Sequence, residues 1–264
     1  MSATVLYQTD GPIATVTLNR PDRLNAMNRE LITAAVEVFE KAASDPSVRV
    51  LILTGAGKGF CAGGDLAGFA GGEFKQPQPL AQRVAELRRS MRTSQILRES
   101  DMVTIAAING ACAGAGFSWA LACDLRYAAA SAKFSSAFLN AGLSGDFGGT
   151  YNLTRILGTA KARELYLLAE RFDATEAERI GLVSRTLPDA ELMNHVHGVA
   201  RKLADSAPIA LREIKRNLND ALRLSFSEAL DREAERHSFC GTTEDNTEAA
   251  KAFLEKRKPA FKGR

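Results

Sequence analysis

The chain has 264 residues, of which 45% are hydrophobic and 25% charged, with 34 Lys+Arg against 31 Asp+Glu. That length and apolar fraction permit a large core plus a smaller appended unit. A net charge of +3 excludes a nucleic-acid footprint but suits a phosphorylated small ligand.

The N-terminus carries no charged region followed by an apolar run, so no secretory signal is expected. No stretch approaches the roughly 20 apolar residues that span a bilayer, so no membrane partner is expected either. Cys61, Cys112, Cys123 and Cys240 form no C-x-x-C pair and read as free thiols in a cytoplasmic protein. No His/Cys/acid cluster has metal-ligand spacing.

Residues 5–18 alternate around Gly11-Pro12 and predict a hairpin. Asn28 is a candidate N-cap for a helix carrying Leu31, Ala35, Val38, Phe39 and Ala42 on one face, ended by Ser44-Asp45-Pro46. Val48 to Thr54 reads as a buried strand. It leads to a glycine turn, Phe60-Cys61-Ala62-Gly63-Gly64-Asp65, expected to open a helix. Gly68 to Pro79 reads as a mobile loop, and the next helix places Leu80, Val84, Leu87 and Met91 on a core face.

Val103 to Ile108 is the next strand. It leads into Asn109-Gly110-Ala111-Cys112-Ala113-Gly114-Ala115-Gly116 and a short helix through Leu121. Leu125 to Ala130 and Leu182 to Leu187 read as further strands, and Thr175 with Glu178 as a capping box between them. From Asp189 the pattern is helical almost to the end, with a hinge at Ser206-Ala207-Pro208. Strands alternating with helices argue for an α/β architecture, with an approximate unit of strand, glycine turn and helix occurring twice. Residues 1–205 read as the core. Residues 206–264 carry too little apolar surface for a core of their own and are expected to pack on the first unit, on a sister subunit, or on both.

The chemistry is concentrated in three glycine-rich loops. Backbone N–H groups in bare turns at helix starts are uncrowded and lack intrahelical partners. Two such turns brought together offer donors to one developing oxyanion. Asp146, within Gly142-Leu143-Ser144-Gly145-Asp146-Phe147-Gly148-Gly149-Thr150, supplies a carboxylate on a third loop. Read alone, each of these is also an ordinary turn, and Asp146 an ordinary turn residue. Asp65 and Asp124 read as structural acids. Gly116-Phe117-Ser118-Trp119-Ala120 approaches G-x-S-x-G, so a serine hydrolase using Ser118 is a rival reading. It needs a histidine, and His195, His197 and His237 have no evident partner.

Taken in order, these residues resemble the crotonase superfamily, the enoyl-CoA hydratase/isomerase family. The similarity runs through Leu18-Asn19-Arg20-Pro21, Leu24-Asn25-Ala26-Met27, both glycine turns, Leu121-Ala122-Cys123-Asp124, Gly148-Gly149-Thr150 and Lys256-Arg257-Lys258-Pro259-Ala260-Phe261. The resemblance implies a spiral of ββα units with a C-terminal helical trimerisation region, and a homotrimer or dimer of trimers. It implies an acyl-CoA thioester as substrate, with no further cofactor because coenzyme A is part of that substrate.

Carried over position by position, the resemblance makes the backbone N–H groups of Gly64 and Ala115 the oxyanion donors. The acyl-CoA would be held by Arg23, Leu24, Ala26, Ala62, Gly63, Asp65, Leu66, Gly114, Ser118 and Phe138, with Lys258 and Phe261 from the tail. The family's hydratases carry two glutamates at positions that here hold Ser118 and Phe138. Asp146 matches an acid of several isomerases, and the pattern resembles the phenylacetate-degradation type. Moving a double bond needs one proton shuttle, whereas adding water benefits from two groups. The resemblance therefore favours isomerisation with Asp146 as shuttle. Hydration is the alternative, and a non-catalytic acyl-CoA binder a further one.

Overall fold

The computed structural model describes residues 3–65 and 79–264. Two sheets are interleaved along the chain. The larger has the order β1 (Val5–Asp10), β2 (Ile13–Leu18), β3 (Val50–Gly55), β5 (Val103–Ile108), β7 (Leu125–Ala129) and β10 (Arg185–Leu187). Only the β1–β2 hairpin is antiparallel, and β2 to β10 run parallel. The smaller sheet has the order β4 (Gly59–Cys61), β6 (Ala111–Ala113), β8 (Lys133–Ser135) and β9 (Phe172–Asp173). The three central parallel strands β3, β5 and β7 each hand the chain to a short strand of the second sheet.

The continuous apolar runs of β3 and β5 follow from burial on both faces. Leu51, Leu53, Ala106 and Ile108 enter the core shared with the smaller sheet. Their alternates Val50, Ile52, Ile105 and Ala107 pack beneath α7 (Leu192–Ala204), against Leu192, Val196, Ala200 and Ala204.

Helix α1 (Arg29–Ser44) begins where expected. The Asn28 side chain accepts from the Leu31 N–H at 2.9 Å, and Leu31, Ala35, Phe39 and Ala42 are buried. Helices α2 (Leu80–Ser90) and α3 (Arg92–Glu99) follow Pro79. The expected core face of α2 is corrected: Leu80 is 76% and Val84 59% exposed, Leu87 is exposed too, and only Met91 packs on the core. Their helical spacing is real, but no element among the described residues covers that stripe.

Helix α4 (Gly114–Ala122) starts within the second glycine turn and is buried at every residue. Helix α5 (Gly149–Leu168) is interrupted at Gly158, whose φ is +76°. The expected capping box at Thr175 is also corrected. The N-cap of α6 (Ala174–Arg179) is Asp173, accepting from Glu176 N–H, while Glu178 accepts from Thr186 N–H at 2.7 Å. Aspartate is the stronger cap and lies two residues earlier. The late strand is shorter than expected, at Arg185–Leu187.

The chain ends in α8 (Pro208–Asp220), α9 (Phe226–Gly241) and α10 (Glu244–Leu254). Buried Lys215 ties α8 to the sheets. Its Nζ lies 2.8 Å from Asp124 Oδ2 and donates to the Met102 carbonyl at 2.7 Å. Several apolar side chains of this region face outward, including Leu218 at 66%, Phe226 at 80% and Phe253 at 83% exposure.

Candidate active site

Both glycine segments differ from a simple strand-turn-helix reading. Phe60-Cys61 and Ala111 to Ala113 are themselves strands, β4 and β6, paired in parallel with Gly59 opposite Ala111 and Cys61 opposite Cys112. That pairing brings the turns beyond them together. Gly63 has φ +95°, and a Cβ there would sit 2.9 Å from the Ala113 carbonyl oxygen. A Cβ on Gly116 would lie 2.3 Å from the Cys61 carbonyl oxygen. At both positions a side chain would separate the two backbones.

The N-terminal segment completes the first turn. Met27 bridges Gly64 in parallel: Met27 N–H donates to the Gly63 carbonyl at 2.7 Å, and Asp65 N–H to the Met27 carbonyl at 3.0 Å. These bonds use the groups flanking the Gly64 N–H and leave that N–H on the opposite side of the strand, without a bond among the described residues. Ala115 is the second residue of α4, so its N–H has no intrahelical partner, and no side chain caps the helix. It also lies at the positive end of the helix dipole. Two free backbone donors therefore stand on two touching turns.

The segment before Met27 is held by polar groups that pattern reading did not single out. Buried Asn25 donates to the carbonyls of Gly59 at 2.7 Å and Ala56 at 3.0 Å, and accepts from Arg20 N–H at 2.8 Å. Arg20 pairs with Asp65 at 2.8 Å, and also donates to the Ala26 carbonyl. Asn109 donates to the Gly55 carbonyl at 2.8 Å. All three residues stand in the motifs quoted above, and the signal available was a polar side chain beside a turn that needs its carbonyls satisfied.

Of the expected ligand-contacting residues, Ala26, Ala62, Gly63, Asp65 and Gly114 gather around these turns. The Asp65 carboxylate is engaged by Arg20, which makes it a clamp on the turn. Leu24 carries φ +48°, and its carbonyl accepts from Ala62 N–H. Arg23 is exposed at the end of a single 3-10 turn, Pro21–Arg23. Leu66 and the loop expected at 68–79, apart from Pro79, lie outside the described residues, as does any helix opening after Asp65. Lys258 and Phe261 lie on a tail whose bonds run to α10. Ala260 N–H donates to Glu248, and Lys262 and Gly263 N–H donate to Asp245. Within one chain the tail is thus secured to α10.

Ser118 is fully buried on α4, and its Oγ donates to the Gly114 carbonyl at 3.3 Å. His195 packs edge-on against Tyr127, with ring centroids 5.0 Å apart, on the α7 side of the large sheet. His237 is exposed on α9. No histidine bonds to Ser118 among the described residues, and the arrangement lacks the base a serine nucleophile requires.

Asp146 lies on the loop between β8 and α5. Its backbone carbonyl accepts from Gly149 N–H at 3.1 Å, closing a turn into the helix. Phe147 has φ +48° and is buried edge-on against Trp119 at 5.8 Å, an anchor for a strained backbone. Asp146 Oδ1 is buried without a hydrogen-bond partner. Burial alone pushes its carboxyl up to about 7 from 3.8. Such a group is half ionised near neutrality, where proton exchange is most effective. Phe138, 5% exposed, stacks on Tyr166, with centroids 6.1 Å apart and ring planes 6° apart.

Comparison with known proteins extends this picture to the whole chain. Residues 8–264 match the family model described as enoyl-CoA hydratase/isomerase. The short-chain-enoyl-CoA hydratase of Clostridium acetobutylicum is 35% identical, over 98% of each chain. The 1,2-epoxyphenylacetyl-CoA isomerase of Escherichia coli K12 is also 35% identical, over 98% of each chain. The crystal structure of enoyl-CoA hydratase from Bacillus anthracis superposes with a TM-score of 0.92 at 30% identity, covering 99% of this chain and 100% of that one. With the interleaved sheets, the paired glycine turns and these matches together, the chain belongs to the enoyl-CoA hydratase/isomerase family, enzymes of the crotonase superfamily that act on CoA thioesters.

Proposed function

We propose that this protein moves the double bond of an enoyl-CoA by a proton shuttle on Asp146. In this reading the thioester carbonyl oxygen accepts from the Gly64 and Ala115 N–H groups. Asp146 removes a proton from C2 of a 3-enoyl thioester. The C–H electron pair moves toward the carbonyl and gives a dienolate, whose oxygen charge the two donors stabilise. The protonated Asp146 then delivers the proton to C4, leaving the 2-enoyl isomer with unchanged composition. Each preorganised donor of this kind is typically worth about 2.7–4 kcal/mol of barrier.

The observation that carries the reading is the Asp146 carboxyl, with Oδ1 buried and unpartnered, raised toward neutrality by desolvation. Ser118 and Phe138 occupy the positions where the resemblance places the hydratases' two carboxylates, and neither ionises in the working range. Hydration is the second reading, supported by the hydratase names of several relatives. Arg23, Leu24, Ala26, Ala62, Gly63, Leu66 and Gly114 are proposed to line the acyl-CoA site. Lys258 and Phe261 are proposed to reach the coenzyme from a neighbouring subunit of a homotrimer or dimer of trimers. The outward apolar side chains of α8, α9 and α10 support that assembly.

A panel of 2-enoyl and 3-enoyl thioesters read by mass tests the proposal. Product of unchanged mass, lost on Asp146→Ala, is expected. Gain of one water as the dominant reaction would select hydration instead.

A further inference from the structure

Two buried oxygens without a hydrogen-bond partner flank the same loop: Asp146 Oδ1 and the Tyr166 hydroxyl. Tyr166 lies on α5, beyond the interruption at Gly158. Its ring edge runs along the loop that carries Asp146. Tyr166 Cε1 lies 3.5 Å from where a Gly145 Cβ would stand, and its hydroxyl oxygen 2.2 Å from where a Gly149 Cβ would stand. Ser118 Oγ lies 2.3 Å from that second point; it donates to the Gly114 carbonyl, and its oxygen stands beside the Tyr166 hydroxyl as the acceptor that competes with Asp146. The Phe138 stack fixes the plane of the phenol.

A phenol hydroxyl and a carboxylate oxygen taken out of water each lose hydration, and each is costly to leave alone. They are also complementary, since one is a donor and the other, once ionised, is an acceptor only. Glycines in left-handed backbone stand on both sides of Asp146: Gly145 has φ +116° and Gly148 φ +74°. We propose that Tyr166 is a positioning residue for Asp146, its hydroxyl donating to the ionised carboxylate and fixing the direction from which that base meets the substrate. This rests on the reading of Asp146 as the proton shuttle.

Among the described residues, two further titratable side chains act with Asp146, and both titrate in another range. Cys61, facing it from β4, is fully buried, and burial pushes its thiol up to about 12. Burial likewise pushes the Tyr166 hydroxyl up to about 12, opposed by the neighbouring Ser118 hydroxyl and reinforced by the Asp146 charge. Arg20, which also acts on Cys61, is committed to Asp65 and the Ala26 carbonyl. Both neighbours are therefore neutral across the working range, and the acidic limb of activity reports Asp146.

A bond to the ionised form lowers a carboxyl's pKa, so removing the hydroxyl raises it. Tyr166→Phe keeps the ring and its stack. The readouts are the pH profile of kcat/KM for enoyl-CoA conversion, and solvent deuterium exchange at C2 of a saturated acyl-CoA, which needs only enolate formation. The acidic limb is expected to move up by about one pH unit, the size of a charge-assisted bond. Both rates then fall about tenfold at pH 6 and less than threefold at pH 9. Tyr166→Leu, which also removes the stack, is expected to lower kcat at every pH. An unmoved limb in Tyr166→Phe, with or without a uniform fall, overturns the proposal. If Asp146→Ala exchanges deuterium like the wild type, the shuttle reading fails. If Asp146→Ala is inactive and the Tyr166→Phe limb is unmoved, only the role of Tyr166 fails.

Discussion

Replacing Asp146 by Asn is expected to stabilise the fold at alkaline pH while abolishing activity. The carboxyl is raised from 3.8 to about 7 by desolvation. A raised carboxyl binds its proton more tightly in the folded chain than in the unfolded one, so the folded chain holds more protons between those values. Stability therefore falls as pH rises from about 4 through 7, and the full penalty is present above 7. At about 1.36 kcal/mol per pH unit that penalty is on the order of 4 kcal/mol. Water entering the loop on ionisation lowers it, and on the order of 2–4 kcal/mol is expected. Asparagine has nearly the same shape and no charge to desolvate.

Urea unfolding of wild type and Asp146→Asn, at one protein concentration and at pH 4.5 and 8.5, gives the difference between their stabilities at each pH. Groups elsewhere cancel in that comparison. The variant should gain on the order of 2–4 kcal/mol relative to wild type between the two pH values. A change below about 0.5 kcal/mol would show that burial does not govern this carboxyl, and the shuttle would lose its physical basis.

Two further outcomes are expected. Gly63→Ala introduces a side chain at φ +95° and 2.9 Å from the Ala113 carbonyl oxygen. It should lower kcat by about 10²–10³, the usual effect of displacing one oxyanion donor, with KM changing less. Steady-state kinetics check it. Lys215→Met removes the cation beside Asp124, whose carboxylate keeps the Thr104 bonds alone, and takes a donor from the carbonyls of Met102 and Leu97. It should lose about 3–5 kcal/mol in urea unfolding, with part regained in the Asp124→Asn/Lys215→Met pair.

Much of this fold is legible in the sequence because its strands are buried on both faces and its first helix has a strong cap. Val103 to Ile108 needs no tertiary information to be read as a strand. The exposed stripe of Leu80, Val84 and Leu87 could not be distinguished from a core face, since periodicity reports one-sidedness and not what covers the side. Asp146 was legible as a candidate from its glycine-flanked loop and, through the resemblance, from the absence of acids at 118 and 138. The Met27–Gly64 bridge was not, because it joins segments far apart in sequence. Tyr166 was hidden too: it sits in a helix with no motif, and only the turn of α5 past Gly158 brings it beneath the Asp146 loop.

The packing of Phe138 on Tyr166, with Ser118 beside the same hydroxyl, constrains how this site can change over evolutionary time. A glutamate at 118 would need the volume that the Tyr166 hydroxyl already fills, and one at 138 would remove the ring on which Tyr166 stacks. A lineage acquiring two-carboxylate chemistry would therefore have to shrink position 166 first, or lose packing at each intermediate. Substitutions at these three positions are then epistatic: the order in which they arise decides which intermediates fold. The oxyanion turns, built from other segments, can stay unchanged throughout.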